Sequence, residues 1–163
     1  MPMSKQKMPD DVRRTCIELV KGYERRVREY RVKRMQIIDG APCQYEVIKD
    51  LDDPDDWKKT ERFYPPSSHS ASRTGEDKVM QLQKLEELPE TKRMRAVERA
   101  KEQIGLDLPK ELRKALAEAI WLNCKSGRRY PYTCFYLPGI EKTNFYDRRS
   151  IFLYAIASYL NLV

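Results

Sequence analysis

Two long segments of the chain repeat apolar residues at the spacing of an α-helix, and this periodicity limits the possible folds more than any other feature. In residues 10–38 apolar side chains recur every three or four positions, while arginines occupy the other faces. Residues 74–104 repeat the pattern, and Pro89 is expected to kink or divide them. An antiparallel helical hairpin, or a coiled coil, would bury both stripes. The stripes comprise Val12, Cys16, Leu19, Tyr23, Val27 and Tyr30, and Val79, Leu82, Leu85, Met94, Val97 and Ile104.

Residues 41–72 separate these two segments and have a different composition. They hold two consecutive prolines, the acidic run DLDDPDD and the polar run SSHSAS. This composition predicts a long surface loop, with room for a short extended piece around residues 45–48. Because the acidic residues 50–56 would be poor ligands for a polyanion, we expect that part of the loop to lie away from any nucleic acid.

Residues 107–163 have the pattern of a separate compact unit of three helices. The first helix would end near Ser126-Gly127, where glycine can adopt the left-handed conformation that closes a helix. Pro131 suits the first position of a short second helix, which Pro138-Gly139 must end within two turns. Thr143 is a suitable N-cap for the last helix. A short helix, a tight turn and a longer helix, with a supporting helix before them, are the parts of a helix-turn-helix.

These patterns predict an all-α protein with two domains. Residues 1–106 would form the helical hairpin with its acidic loop, and this domain would serve oligomerisation or contact with a partner. Residues 107–163 would form a helix-turn-helix domain that binds DNA.

The charge of the chain favours a polyanionic partner. The formal net charge is +7, and its distribution is more informative than its sum. Residues 1–40 carry 11 basic and 6 acidic side chains, and residues 107–163 carry 9 and 5. Residues 41–66 reverse the balance, with 4 basic and 7 acidic side chains. The two ends of the chain are therefore the candidates for contact with nucleic acid.

The stretch TNFYDRRSIF, residues 143–152, places aromatic and basic residues on the first turns of the last helix. At 100° per residue, Phe145, Phe152, Ile156 and Tyr159 point inward, while Thr143, Tyr146, Asp147 and Ser150 point outward. Arg148 and Arg149 fall on the flanks, and Arg149 leans toward the core with a stem long enough to reach a phosphate. The pattern fits a recognition helix, and it also fits an ordinary amphipathic helix with a solvated basic flank. The candidate DNA-binding residues are Arg128, Arg129, Tyr132, Thr143, Asn144, Tyr146, Arg148, Arg149 and Ser150.

Other classes of site find little support in the sequence. The four cysteines form no C-x-x-C pair and the chain has one histidine, which argues against a structural zinc site. No glycine-rich phosphate-binding loop is present, and no nucleophile has a suitable partner acid. We therefore expect no enzymatic activity, no metal and no cofactor. A secretory signal and a membrane-spanning stretch are also lacking, so a cytoplasmic protein with reduced thiols is expected.

The C-terminal pattern, GRRYPYTCFY followed by PGIEKTNFYDRRSIFLYAIASYL, resembles the sigma-like helix-turn-helix of the RinA and ArpU families. These are transcriptional regulators encoded by phages and prophages of Gram-positive bacteria. Their motif places a serine or threonine, then phenylalanine-tyrosine, then two arginines at the start of the final helix. The matching residues here are Thr143, Phe145-Tyr146 and Arg148-Arg149. The N-terminal half is similar as well, whereas DLDDPDDWKK and PYTCFYLPG depart from the family pattern.

The resemblance implies a regulator that activates late or packaging genes, with its final helix in the major groove of double-stranded DNA. The N-terminal hairpin would then form a homo-oligomer or contact RNA polymerase. A small terminase-like DNA-packaging adaptor is the alternative, because such proteins also combine a helix-turn-helix with helical oligomerisation.

Overall fold

The computed structural model describes residues 7–39, 43–49, 57–63, 75–126 and 128–163. This part of the chain is mainly helical, which confirms the helical character predicted from the sequence. It also contains two β-strands, which the all-α expectation did not include. The elements are α1 Asp10–Lys21, α2 Tyr23–Asp39, β1 Cys43–Lys49, β2 Trp57–Phe63, α3 Gly75–Glu87, α4 Pro89–Glu102, α5 Lys110–Lys125 and α6 Lys142–Tyr159, with one 3-10 turn at Tyr132–Cys134.

Each of the two long periodic segments consists of two helices. Pro89 separates α3 from α4 as predicted, and it occupies the first position of α4, where its missing N–H costs nothing. The buried Thr91 hydroxyl donates a 2.7 Å hydrogen bond to the carbonyl of Leu85 and holds the junction together. The first segment divides at Gly22, whose N–H donates to the carbonyl of Glu18. The apolar periodicity of residues 10–38 does not predict that second break.

The strands β1 and β2 form an antiparallel pair in the region where the sequence predicts a loop. Cys43 lies opposite Phe63, and Lys49 lies opposite Trp57. The expected loop therefore needs correction, because cross-strand hydrogen bonds organise two seven-residue stretches of it. The expected extended piece at residues 45–48 falls inside β1. The acidic residues 50–56, whose position relative to DNA was also predicted, lie outside the described residues.

The chain divides into two compact units, and the first is discontinuous in sequence. Unit 1 comprises Met1–Arg25 and Lys92–Val163, and unit 2 comprises Arg26–Thr91. This division differs from the expected boundary between residues 106 and 107. The physical reason is that α1 packs on α5 and α6. Its apolar stripe lies in the same core as the C-terminal helices, rather than in a separate N-terminal domain.

Unit 1 has a continuous hydrophobic core built from α1, the end of α4, α5 and α6. The largest fully buried side chains of this unit are Cys16, Val20, Met94, Val97, Leu116, Ile120, Phe145, Phe152, Leu153 and Ile156. The three α6 residues Phe145, Phe152 and Ile156 were predicted to face inward, and their burial confirms it. Tyr159, the fourth, is at the end of α6 and remains 39% exposed.

In unit 2, side-chain contacts tie α2 to α3 and to the start of α4 in antiparallel order. The hydroxyl of Tyr30 donates to Glu86, Nζ of Lys78 donates to the carbonyl of Ile38 at 2.9 Å, and Nε of Arg26 lies 2.8 Å from Glu90 Oε2. Residues later in α2 contact residues earlier in the segment formed by α3 and the start of α4. This order is the one expected of helices that run in opposite directions. Within α2, no residue is fully buried among those the structure describes.

Two turns of unit 1 depend on glycine in the left-handed region of backbone space. Gly105, with φ +69°, shapes the turn between α4 and α5. A Cβ atom at this residue would lie 3.2 Å from Cγ of Arg113. Gly139, with φ +78°, follows Pro138 in a turn closed by the Ile140 N–H donating to the Leu137 carbonyl at 3.1 Å. A Cβ atom there would have nothing within 4 Å.

We expect Gly105→Ala to destabilise the protein more than Gly139→Ala. Both substitutions force alanine into the left-handed region, which costs about 1–2 kcal/mol. Gly105→Ala also crowds Arg113, and overpacking of this kind adds about 1 kcal/mol or more. Urea denaturation of the two variants measures the difference. Equal losses of unfolding free energy would show that the turn between α4 and α5 accommodates the alanine Cβ without crowding Arg113.

Candidate nucleic-acid interface

The segment between α5 and α6 is a compact loop rather than a short helix. The helix expected after Pro131 is reduced to the single 3-10 turn Tyr132–Cys134. The Tyr132 hydroxyl donates to the carbonyl of Ile140, and its ring lies 5.4 Å from the ring of Phe145. These contacts hold the chain in a non-helical path toward α6. Tyr132, a predicted DNA-binding residue, is therefore occupied in fixing this loop.

The final helix begins two residues earlier than expected. Lys142 is its first residue and Glu141 is the N-cap, so Thr143 lies inside the first turn instead of capping it. The fully buried ring of Phe145 anchors this turn by contacts with Tyr132, Phe135 and Tyr146. The start of α6 is thus fixed by aromatic packing on its inner side.

Arg148 bridges the start of α6 to the turn between α4 and α5. Its two terminal nitrogens donate to the two carboxylate oxygens of Asp107, at 2.9 and 2.7 Å. Its Nε donates to Oδ1 of Asn144 at 2.6 Å. The Arg148 hydrogen bonds, with its positive charge, lower the pKa of Asp107 to about 2. Arg148 was predicted to contact phosphate; these three bonds use one N–H group on each of its nitrogens, and two of its five N–H donors remain.

Arg149 turns toward the core, as its position on the helix predicts. Among the described residues, its Nε is buried without a hydrogen-bond partner. The guanidinium lies beside the thiol of Cys124. Burial raises the pKa of that thiol to about 11, and the positive charge and hydrogen bond of Arg149 partly offset the rise. This placement makes Arg149 part of the packing between α5 and α6.

The outward side of α6 is polar over its first turns, whereas Ile151 further along is 54% exposed. Thr143, Asn144, Asp147 and Ser150 are exposed, while Tyr146 is half-buried with its ring 5.2 Å from that of Phe145. The Ser150 hydroxyl donates to the carbonyl of Tyr146 at 3.0 Å, so its oxygen keeps its lone pairs for an acceptor role.

Exposed basic residues flank this polar surface along the chain. Arg128 and Arg129 lie at the start of the loop that follows α5, and Arg129 stacks 5.8 Å from the ring centre of Tyr130. Lys142 is exposed at the first residue of α6. Lys142 is not among the predicted DNA-binding residues, although its position at the helix start could have identified it. Asp107 is not among them either, because it comes near α6 only in the folded chain.

In the described ranges, no group of three or more histidine, cysteine, aspartate or glutamate side chains could hold a metal ion. None of the helices in the described part of the chain is long and apolar enough to cross a membrane.

Comparison with known proteins gives no relative: the chain matches no protein-family model, no curated protein and no solved structure. The function must therefore be argued from the arrangement of these residues.

Proposed function

We propose that the protein is a sequence-specific DNA-binding transcriptional regulator of a phage or prophage, which activates late or packaging genes through a variant C-terminal helix-turn-helix, in which the 3-10 turn Tyr132–Cys134 stands in place of the short helix. The observation that carries the proposal is the two-sided character of α6. Phe145, Phe152 and Ile156 fix one side in the core, while Thr143, Asn144 and Ser150 are presented outward on the first turns. A recognition helix needs this combination, because base edges are read by outward residues near its N-terminus.

The charges around α6 are compatible with a DNA backbone. Arg128, Arg129 and Lys142 are exposed and can contact phosphates on either side of the groove. The carboxylate of Asp107 is neutralised by Arg148, so it offers little repulsion. Asp147 remains exposed, and an outward carboxylate can accept a hydrogen bond from the amino group of cytosine.

In this proposal unit 2 supplies contacts with other proteins. The antiparallel pairing of α2 with α3 supports a helical hairpin that forms a homo-oligomer or contacts RNA polymerase. Arg31, Lys33 and Arg34 are exposed on α2, and Val79 and Met80 of α3 are 54% and 55% exposed. Exposed apolar side chains can form a protein-binding surface where they make a contiguous patch with a polar rim.

Selection from a random pool of duplexes tests the proposal, because it works even when the operator sequence is unknown. We expect the protein to enrich one sequence and to bind it more tightly than a scrambled duplex. Light scattering then distinguishes a regulator from a packaging adaptor. A monomer or dimer supports a regulator, whereas a ring of many subunits favours a packaging adaptor. If no sequence is enriched at low salt, α6 is an ordinary solvated helix.

The double substitution Arg128→Ala with Arg129→Ala is expected to weaken binding to all duplexes. Each lost phosphate contact reduces the slope of log K against log salt concentration by about 0.9, so two contacts reduce it by about 2. A matched control removes two exposed charges from α4, Lys92→Ala with Arg99→Ala. We expect the control to keep the parent slope. Equal slopes for both double variants would place the phosphate contacts elsewhere.

A further inference from the structure

Asn144 is an exposed residue of α6 whose hydrogen-bonding polarity is fixed by a neighbour. Nε of Arg148 donates to its side chain at 2.6 Å. Because a guanidinium has donors and no acceptor, the amide atom that faces it must be the carbonyl oxygen. The amide NH₂ group of Asn144 therefore points away from Arg148, and it is the part of the side chain available to a ligand.

Arg148 is itself held from the other side. Its paired bonds to Asp107, at 2.9 and 2.7 Å, have the fork geometry that fixes a guanidinium plane. Asp107 lies in the turn after α4, which depends on Gly105 and is tied to α5 by Arg113 Nε donating to the Ile104 carbonyl at 3.2 Å. A chain of directed bonds thus runs from this turn to the amide of Asn144.

We infer that Asp107 and Arg148 are positioning residues for base readout, and that they present Asn144 to the major groove as a hydrogen-bond donor. The inference rests on the proposed function. An asparagine with a free amide pairs with adenine, using its oxygen and its nitrogen together. Here the bond from Arg148 occupies one of the two lone pairs of the oxygen, whereas both hydrogens of the NH₂ group remain available to a base edge with acceptors. Guanine presents two such acceptors, O6 and N7, side by side in the major groove, so guanine is the base we expect Asn144 to select.

The test measures base preference at the selected site rather than total affinity. Binding of the parent and of Asn144→Ala to a set of single-base variants identifies the base pair that Asn144 reads. We expect the parent to prefer guanine there by about tenfold, and Asn144→Ala to lose that preference. Asp107→Ala is expected to lose the preference for guanine at the same base pair. The double variant Asp107→Ala with Asn144→Ala should show no further loss of that preference. Asp107→Glu, which can still pair with Arg148, should retain part of the preference.

A purely electrostatic role for Asp107 predicts a different result. Removing a carboxylate near DNA would then tighten binding to every sequence, and the freed Arg148 would add to the salt slope. Ser150→Ala is the control, because the hydroxyl of Ser150 bonds to the Tyr146 carbonyl and is independent of Asp107. The change in base preference caused by Ser150→Ala should be the same in the parent protein and in the Asp107→Ala variant.

Thermal unfolding is measured for each variant to confirm that it folds. If Asp107→Ala does not fold, the base preference of Arg148→Lys tests the same inference. Lysine keeps the charge but cannot donate to both neighbours in the arginine geometry. If Asp107→Ala and Arg148→Lys keep the parent preference at every base pair, the inference is overturned while the proposed function stands. If the parent itself selects no sequence, the proposed function fails and the inference fails with it.

Discussion

Deletion of residues 1–22 is expected to leave the remaining helices of unit 1 without a stable fold. Cys16 and Val20 of α1 are fully buried and Leu19 is 5% exposed, all in the core that contains Leu116 and Ile156. Loss of one large buried side chain costs about 2–5 kcal/mol, and the whole stability of a domain is about 5–15 kcal/mol. Removing three buried side chains together with the rest of α1 therefore costs an amount comparable to the whole stability of a domain.

Circular dichroism and the dispersion of amide signals in NMR spectra measure this effect. The fragment 107–163 should show no cooperative thermal transition, although the sequence alone suggests that it is a domain. Point variants of the intact chain give a matched comparison. Leu19→Ala should cost about 2–5 kcal/mol, whereas Arg14→Ala on the exposed side of α1 should change stability by less than about 0.5 kcal/mol. A fragment 107–163 that melts cooperatively with native-like dispersion would contradict the discontinuous unit.

Phe145→Ala is expected to lower the free energy of unfolding by about 3–5 kcal/mol. The ring is fully buried, and its centre lies 5.4 Å from that of Tyr132 and 6.0 Å from that of Phe135. The substitution leaves a cavity at the point where the loop after α5 meets the first turn of α6. Tyr136→Ala is the control, since Tyr136 is 89% exposed in the same loop.

Chemical denaturation of the two variants checks this prediction. The lower stability of Phe145→Ala should also reduce DNA binding, but only in proportion to the fraction of unfolded protein. Binding should therefore recover at a lower temperature, where more of the variant is folded. A Phe145→Ala variant as stable as Tyr136→Ala would mean that the aromatic cluster does not hold the start of α6.

Local features of the fold could be predicted from the sequence because they depend on near neighbours. The helical stripes, the break at Pro89 and the tight turn at Pro138-Gly139 all follow from periodicity or from backbone preferences within a few residues. The inward positions of Phe145 and Phe152 follow from the 100° step of a helix. The inward lean of Arg149 was predicted in the same way.

Features that depend on distant residues could not be predicted. The partner of Arg148 is Asp107, 41 positions earlier, and no local pattern connects them. The packing of α1 on α5 and α6 joins segments far apart in the chain, so the domain boundary could not be predicted from local patterns. The hydroxyl of Tyr132 bonds to the carbonyl of Ile140, a tertiary contact that outweighs the helical tendency after Pro131.

The discontinuity of unit 1 has a consequence for the biosynthesis of the protein. Helix α1 leaves the ribosome well before α5 and α6, the helices that cover its apolar side. At translation rates of about 5–20 residues per second, the delay is on the order of ten seconds. During that time the side chains of Cys16, Leu19 and Val20 have no native surface to pack against. The nascent chain therefore exposes apolar surface of the kind that makes folding intermediates prone to aggregation, and unit 1 completes its core only when α6 has been synthesised.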